Sequence, residues 1–258
     1  MQPISRGFAL VTVFAMSLAF LPAAHAEQHL TTSGFTLAIA GSSSGSAEID
    51  LLSDTGSTVR IALTGDPANT PVLAYSEDAP RENTVFGGVQ LAGTVTEGYR
   101  ITSLTLSGTL NASSEITPPD FECGINCFGR GGEAGNEATI AWTLTSAGIS
   151  TTLPRLNVPY IEGSAPFALA TNTHTTGDFT LDIQSTLFAY AAGTMYEITH
   201  FEGGSSWISY HSWPAWSALQ LTDLVLTANV SAVPEPGTYG MLLAGLGVLG
   251  MRARRRVR

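Results

Sequence analysis

The 258-residue chain has no lysine and only two cysteines, and charged residues make up just 12% of it. Its arginines are unevenly placed: Arg6 stands near the front, and Arg252, Arg254, Arg255, Arg256 and Arg258 crowd the end. Between them remain Arg60, Arg81, Arg100, Arg130 and Arg155 against twenty acidic residues, so the body carries a net charge of about −15. Such a surface repels phosphate backbones and acidic membranes, which excludes nucleic-acid binding and keeps a secreted protein soluble. Helix-period apolar segments are nearly lacking from residues 27 to 232, so a helical body is excluded as well.

Long apolar runs occur only at the two ends. A short head with one positive charge, Met1 to Arg6, precedes an apolar stretch over residues 7–21 that holds no acid, base or amide. It closes on Pro22-Ala23-Ala24-His25-Ala26, where Ala24 and Ala26 are the small residues that signal peptidase accepts. This order of parts predicts a cleaved signal peptide over 1–26 and a mature chain beginning at Glu27. At the other end, Val233-Pro234-Glu235-Pro236 leads into an apolar segment over 237–251 and then the arginine cluster. As a helix that segment is about 22 Å long, short against a hydrocarbon core of about 30 Å. Snorkelling arginines close part of the gap and place the C-terminus on the cytoplasmic side. Gly240, Ala244, Gly245, Gly247 and Gly250 would let another helix approach closely.

The tail from Val233 to Arg258 resembles a PEP-CTERM sorting domain, with its Pro-Glu-Pro motif, short apolar helix and basic end in the right order. The resemblance covers about a tenth of the chain. It implies that Pro234, Glu235 and Pro236 are the recognition motif read by an exosortase, in a Gram-negative bacterium that secretes exopolysaccharide. It further implies export across the inner membrane, transient anchoring through the 237–251 helix, and release or re-anchoring at the cell surface.

In that compartment thiols are oxidised, so Cys123 and Cys127, with three residues between them, are expected to close a small disulfide loop. So short a loop contributes roughly 2 kcal/mol, enough to set a loop but not a fold. No metal-ligand spacing flanks the pair, and the gap differs from that of redox enzymes.

The body reads as strands. Apolar and small or polar residues alternate over 35–39, 47–51, 58–63, 89–95, 101–110, 139–144, 179–183 and 221–230, with Gly, Ser, Asp, Asn and Pro between. One-face alternation in many short strands predicts an all-β, antiparallel, jelly-roll-like sandwich over 27–232, as one large domain or two small ones. Gly34 to Ile39 echoes Gly177 to Ile183, and Ile101 to Leu106 echoes Leu221 to Leu226, which leaves a duplication open. Residues 66–87 and 115–136 read as long connections.

Four groups of residues carry candidate chemistry. Asp54-Thr55-Gly56 matches the aspartic-protease triplet, which needs a second facing carboxylate; a hairpin turn is the plainer reading. Gly41-Ser42-Ser43-Ser44-Gly45 fits the nucleophile elbow, but an elbow leads into a helix and residues 47–51 read as a strand. His200, Glu202 and His211 lie close enough in sequence to suggest a metal, although such pairs are more often surface residues, so no metal and no cofactor is assigned. The segment Trp207 to Trp216 holds three of the four tryptophans. Alternation puts Trp207, Ser209, His211 and Trp213 on one face and Tyr210 on the other. With Trp216 these rings form a sugar-stacking platform for an extracellular polysaccharide, or else fill the sandwich core or cap its end.

The sequence thus points to an exported surface or matrix component, structural or adhesive, processed by signal peptidase and an exosortase. A carbohydrate-binding module built on Trp207, Tyr210, Trp213 and Trp216 is the alternative. A secreted hydrolase using Asp54 is the third reading; no convincing catalytic constellation supports it.

Overall fold

A computed structural model describes residues 28–43, 46–65, 71–116, 127–128 and 132–233, and in the C-terminal segment 237, 240–241 and 243–246. The signal segment with Ala24 and Ala26, Cys123 and the Pro234-Glu235-Pro236 motif lie outside the described residues, as does the side chain of Cys127.

Strands dominate, as β-branched and threonine-rich alternation dictates. The first half contains β1 (His29–Thr31), β2 (Phe35–Ser42), β3 (Glu48–Asp54), β4 (Thr58–Thr64), β5 (Val72–Ser76), β6 (Pro80–Val95), β7 (Tyr99–Ile116) and β8 (Cys127–Phe128). The second contains β9 (Glu133–Ser146), β10 (Ile149–Thr152), β11 (Leu156–Pro159), β12 (Gly163–Thr175), β13 (Asp178–Ala192), β14 (Thr194–Glu202), β15 (Ser205–Trp213) and β16 (Ala215–Ala232).

Two sheets face each other. The first runs β1-β2-β6-β13-β9-β10, with β11 also on β9; the second runs β12-β7-β16-β4-β3, with β5 also on β16. Inward residues of both form one apolar cluster: Phe35, Leu91, Trp142, Leu181 and Ile183 from the first sheet meet Ile61, Leu104, Leu106, Leu221 and Leu226 from the second. The outward positions are mostly threonine, serine and acids, so period-2 patterning is what makes each strand choose its face. A third, small sheet, β15-β14-β8, stands apart from both. Every described pairing is antiparallel.

The sandwich is thus all-β and antiparallel, but its strand order corrects the jelly-roll expectation. A jelly roll pairs its first main strand with its last. Here β2 pairs with β6, and the final strand β16 lies between β7 and β4. The main chain passes directly between the two large sheets at β2–β3, β5–β6, β6–β7, β11–β12 and β12–β13, and by way of the third between β7 and β9 and between β13 and β16. Such order depends on long-range pairing, which periodicity does not encode.

Two connections also need correction. Residues 66–87 contain β5 and the first half of β6. Pro80 to Thr84 pair with β13 while remaining exposed, so no hydrophobic period marks them as strand. The 115–136 connection is shorter than expected, since β9 begins at Glu133.

At the C-terminus the described residues 237, 240–241 and 243–246 are helical, and residues 247–251 of the expected 237–251 span lie outside the described residues. Among the described residues no helix is long and apolar enough to cross a membrane.

Candidate functional site

The Trp207-to-Trp216 segment is divided between two places. β14 and β15 form a hairpin that leaves the first sheet at Gly193 and returns to the second at Pro214. Gly193 is required at the exit. A Cβ there would lie 2.5 Å from the carbonyl oxygens of both Ser76 and Glu77, and its N–H donates to Ser76 Oγ at 3.1 Å.

One face of the hairpin carries Trp207, Ser209, His211 and Trp213, as alternation requires. The register sets His200 opposite Trp207 and Tyr196 opposite His211. The His200 and Trp207 rings are stacked, with centroids 3.7 Å apart and planes 9° apart. Tyr196 stacks on His211 at 5.7 Å and meets Trp213 edge-on at 5.9 Å. Ser209 Oγ lies 2.8 Å from His200 Nε2 and 3.1 Å from His211 Nε2, so one hydroxyl joins both imidazoles. The opposite face exposes Met195, Phe201, Ile208 and Tyr210.

Trp216 is elsewhere. It stands on β16, in line with Tyr75 and Glu115, and donates its indole N–H to Glu115 at 3.2 Å. The single platform of Trp207, Tyr210, Trp213 and Trp216 is therefore not formed. Nor do these rings fill the core: Trp207 is 53% exposed, Tyr210 is 65% exposed, and Trp213 and Trp216 are half-buried. The core tryptophan is Trp142, whose N–H donates to Pro154 O at 2.8 Å.

A second aromatic surface, not anticipated from sequence, lies on the outer face of the first sheet. Thr186 pairs with Phe86 and shares its face with Phe188 and Tyr190. Gly135 pairs with Tyr190 and has Tyr160 over it, a Cβ at Gly135 falling 3.1 Å from the Tyr160 ring. Tyr160 adopts a φ of 54°, rare for an aromatic residue, and is 81% exposed. Asn136 holds this turn: its carbonyl accepts from Tyr160 N–H at 2.7 Å, and its buried side chain bonds both polar backbone groups of Ile161. Beside Phe86, which is 72% exposed, an open groove of about 430 Å³ is lined by Gln90, Asp182, Gln184 and Thr186. The signal available in sequence was the pair Phe188 and Tyr190 at outward positions of an alternating run.

The motif residues have structural duties. Asp54 ends β3, and its carboxylate accepts from Gly56 N–H at 2.8 Å, Ser33 Oγ at 2.7 Å and Ser33 N–H at 2.6 Å. These bonds, Gly56 foremost, hold its pKa below the usual carboxylate value. The triplet is thus a hairpin turn that also clasps the β1–β2 loop. Ser43 exchanges bonds with Gly88, and among the described residues β2 is followed by strand β3 where a nucleophile elbow would lead into a helix; Ser44 and Gly45 lie outside the described residues. Among the described residues no three His, Cys, Asp or Glu side chains are grouped to hold a metal.

Residues 232–256 match the PEP-CTERM protein-sorting motif. No curated protein matches the chain. Among solved structures it is aligned with a chain of "Structure of infectious bursal disease virus Gx strain" at 12% identity and a TM-score of 0.14. That alignment covers 79% of this chain and 59% of the other, and at this score carries no argument about fold or role. The motif marks an exported protein sorted by an exosortase to the cell surface or beyond it.

Proposed function

We propose that this chain is a structural or adhesive component of the cell surface or extracellular matrix, delivered by its C-terminal sorting signal into an exopolysaccharide setting. The observation that carries this reading is the sorting motif over residues 232–256, at the end of an acidic sandwich. The signal peptide, the transient anchor and a Cys123–Cys127 disulfide belong to the same reading. The test is mass spectrometry of the protein recovered from the surface. A mature N-terminus at Glu27 and loss of Arg252 to Arg258 are expected. An intact arginine cluster on surface material would overturn exosortase processing.

A second reading, glycan binding, is favoured by the groove at Phe86. A ring wall beside the amides of Gln90 and Gln184 and the carboxylate of Asp182 combines a stacking surface with hydroxyl-bonding groups, as sugar recognition needs. Retention of the protein on the host's own polysaccharide would be lost in Phe86→Ala but kept in Trp216→Ala. Equal retention by both variants, or none by the unaltered protein, would remove this reading.

A further inference from the structure

β15 is an edge strand without the usual protection. Edges are ordinarily blunted by shortness, charge, proline or a bulge, because open N–H and C=O groups invite another strand. Among the described strands, β1, β3, β10, β11 and β12 follow that rule. β1 has three residues, β10 four, and β11 four with Pro159 at its end. β3 carries Glu48, Asp50 and Asp54 and a register shift between Leu51 and Ser53. β12 contains Pro166.

β15, Ser-Ser-Trp-Ile-Ser-Tyr-His-Ser-Trp, has nine residues with no acid, no arginine, no proline and no bulge. Among the described residues it pairs with β14 on one side only. In a body with a net charge of about −15, two copies repel each other over most of their surface. A strand free of formal charge is where they approach at least cost.

We propose that β15 pairs antiparallel with β15 of a second copy, centred on Ser209, joining two three-stranded sheets into one of six strands. The strand is self-complementary in that register. Ser209 meets Ser209, Trp207 meets His211 of the second copy, and Ile208 meets Tyr210. The existing ring pairs then continue across the junction. His200 stacked on Trp207 is followed by His211 and Tyr196 of the second copy, and the symmetric row repeats this. On the opposite face the exposed Ile208 and Tyr210 cover each other. Directly opposed aromatic and β-branched pairs stabilise an antiparallel ladder, whereas opposed like charges destabilise it. A two-fold pairing uses the same patch on both copies, so it closes as a dimer rather than growing into a fibre. The inference does not depend on how the tail is processed.

Sedimentation of the exported protein over a concentration range tests it. The unaltered protein should be a dimer, and Ser209→Ala, which removes both imidazole contacts but adds no charge, should remain one. Ser209→Lys and Ser209→Glu each place like charges on the two-fold axis and should weaken the dimer about two- to fivefold. Mixed together, these two variants should recover it as a hetero-pair. A monomeric unaltered protein, a dimer indifferent to Ser209→Lys, or failure of the mixture to recover pairing would each overturn the proposal. A circular-dichroism melt of each variant separates loss of pairing from loss of fold.

Discussion

Phe179 leans over Gly93 to meet Phe35 edge-to-face, the ring centroids 6.3 Å apart and the planes at 71°. The two phenylalanines belong to the echoing segments 34–39 and 177–183, which flank β6 on either side. A Cβ at Gly93 would stand 2.5 Å from Phe179 Cζ and 2.6 Å from Thr36 O. Gly93→Ala should therefore destabilise the sandwich by about 1–3 kcal/mol, the usual cost of overpacking. Urea unfolding measures it, and an unchanged midpoint would mean that the Phe179 ring yields freely.

Asn136 is 4% exposed and satisfies both Ile161 N–H, at 2.8 Å, and Ile161 C=O, at 3.0 Å. Asn136→Ala leaves two buried backbone groups unpaired and should cost about 2–4 kcal/mol. It should also release the turn that displays Tyr160. The loss is read from thermal unfolding, and faster proteolysis at Tyr160 reports the turn.

Asp54 has its pKa lowered from 3.8 by Gly56 and Ser33, so its contribution is fully present above that value. It is lost as the pH falls through the lower, folded-state pKa. Asp54→Asn should weaken the fold by less than about 1 kcal/mol at pH 7, because the exposed carboxylate is screened. The difference from the unaltered protein should shrink below pH 3.8, which unfolding curves at pH 7 and pH 3 would show.

The tryptophans separate core from surface. Trp142→Ala should cost about 3–5 kcal/mol, since it empties a buried site and orphans Pro154 O. Trp207→Ala, at an exposed hairpin position, should cost less than about 1 kcal/mol. Comparable losses would place Trp207 in the core after all.

Much of the architecture was legible where one strand face is buried. Leu104, Leu106 and Leu110 alternate with half-exposed partners on β7, and Leu221, Leu224 and Leu226 mark β16. The first half of β6 was hidden because Pro80 to Thr84 are exposed throughout. The aromatic segment was legible as an aromatic hairpin face but not as a site, since Pro214 turns the chain and sends Trp216 to another sheet. The Phe86 surface was hidden because its members come from β6, β13 and the residue after β11.

By itself, the sequence determined what is local: an acidic, lysine-free, antiparallel all-β body, a turn at Asp54-Thr55-Gly56 and a sorting motif read as a linear peptide. Alternation and turn chemistry act over a few residues, so they can be read from a single segment. Only the tertiary structure decided which strands are neighbours, which edge stays open and which rings share a face. Those outcomes depend on pairings such as Leu226 with Leu106 and with Ile61, between residues more than a hundred positions apart in the chain. Many strands here have similar composition, so their order is chosen by how the whole core fills rather than by any one strand's residues.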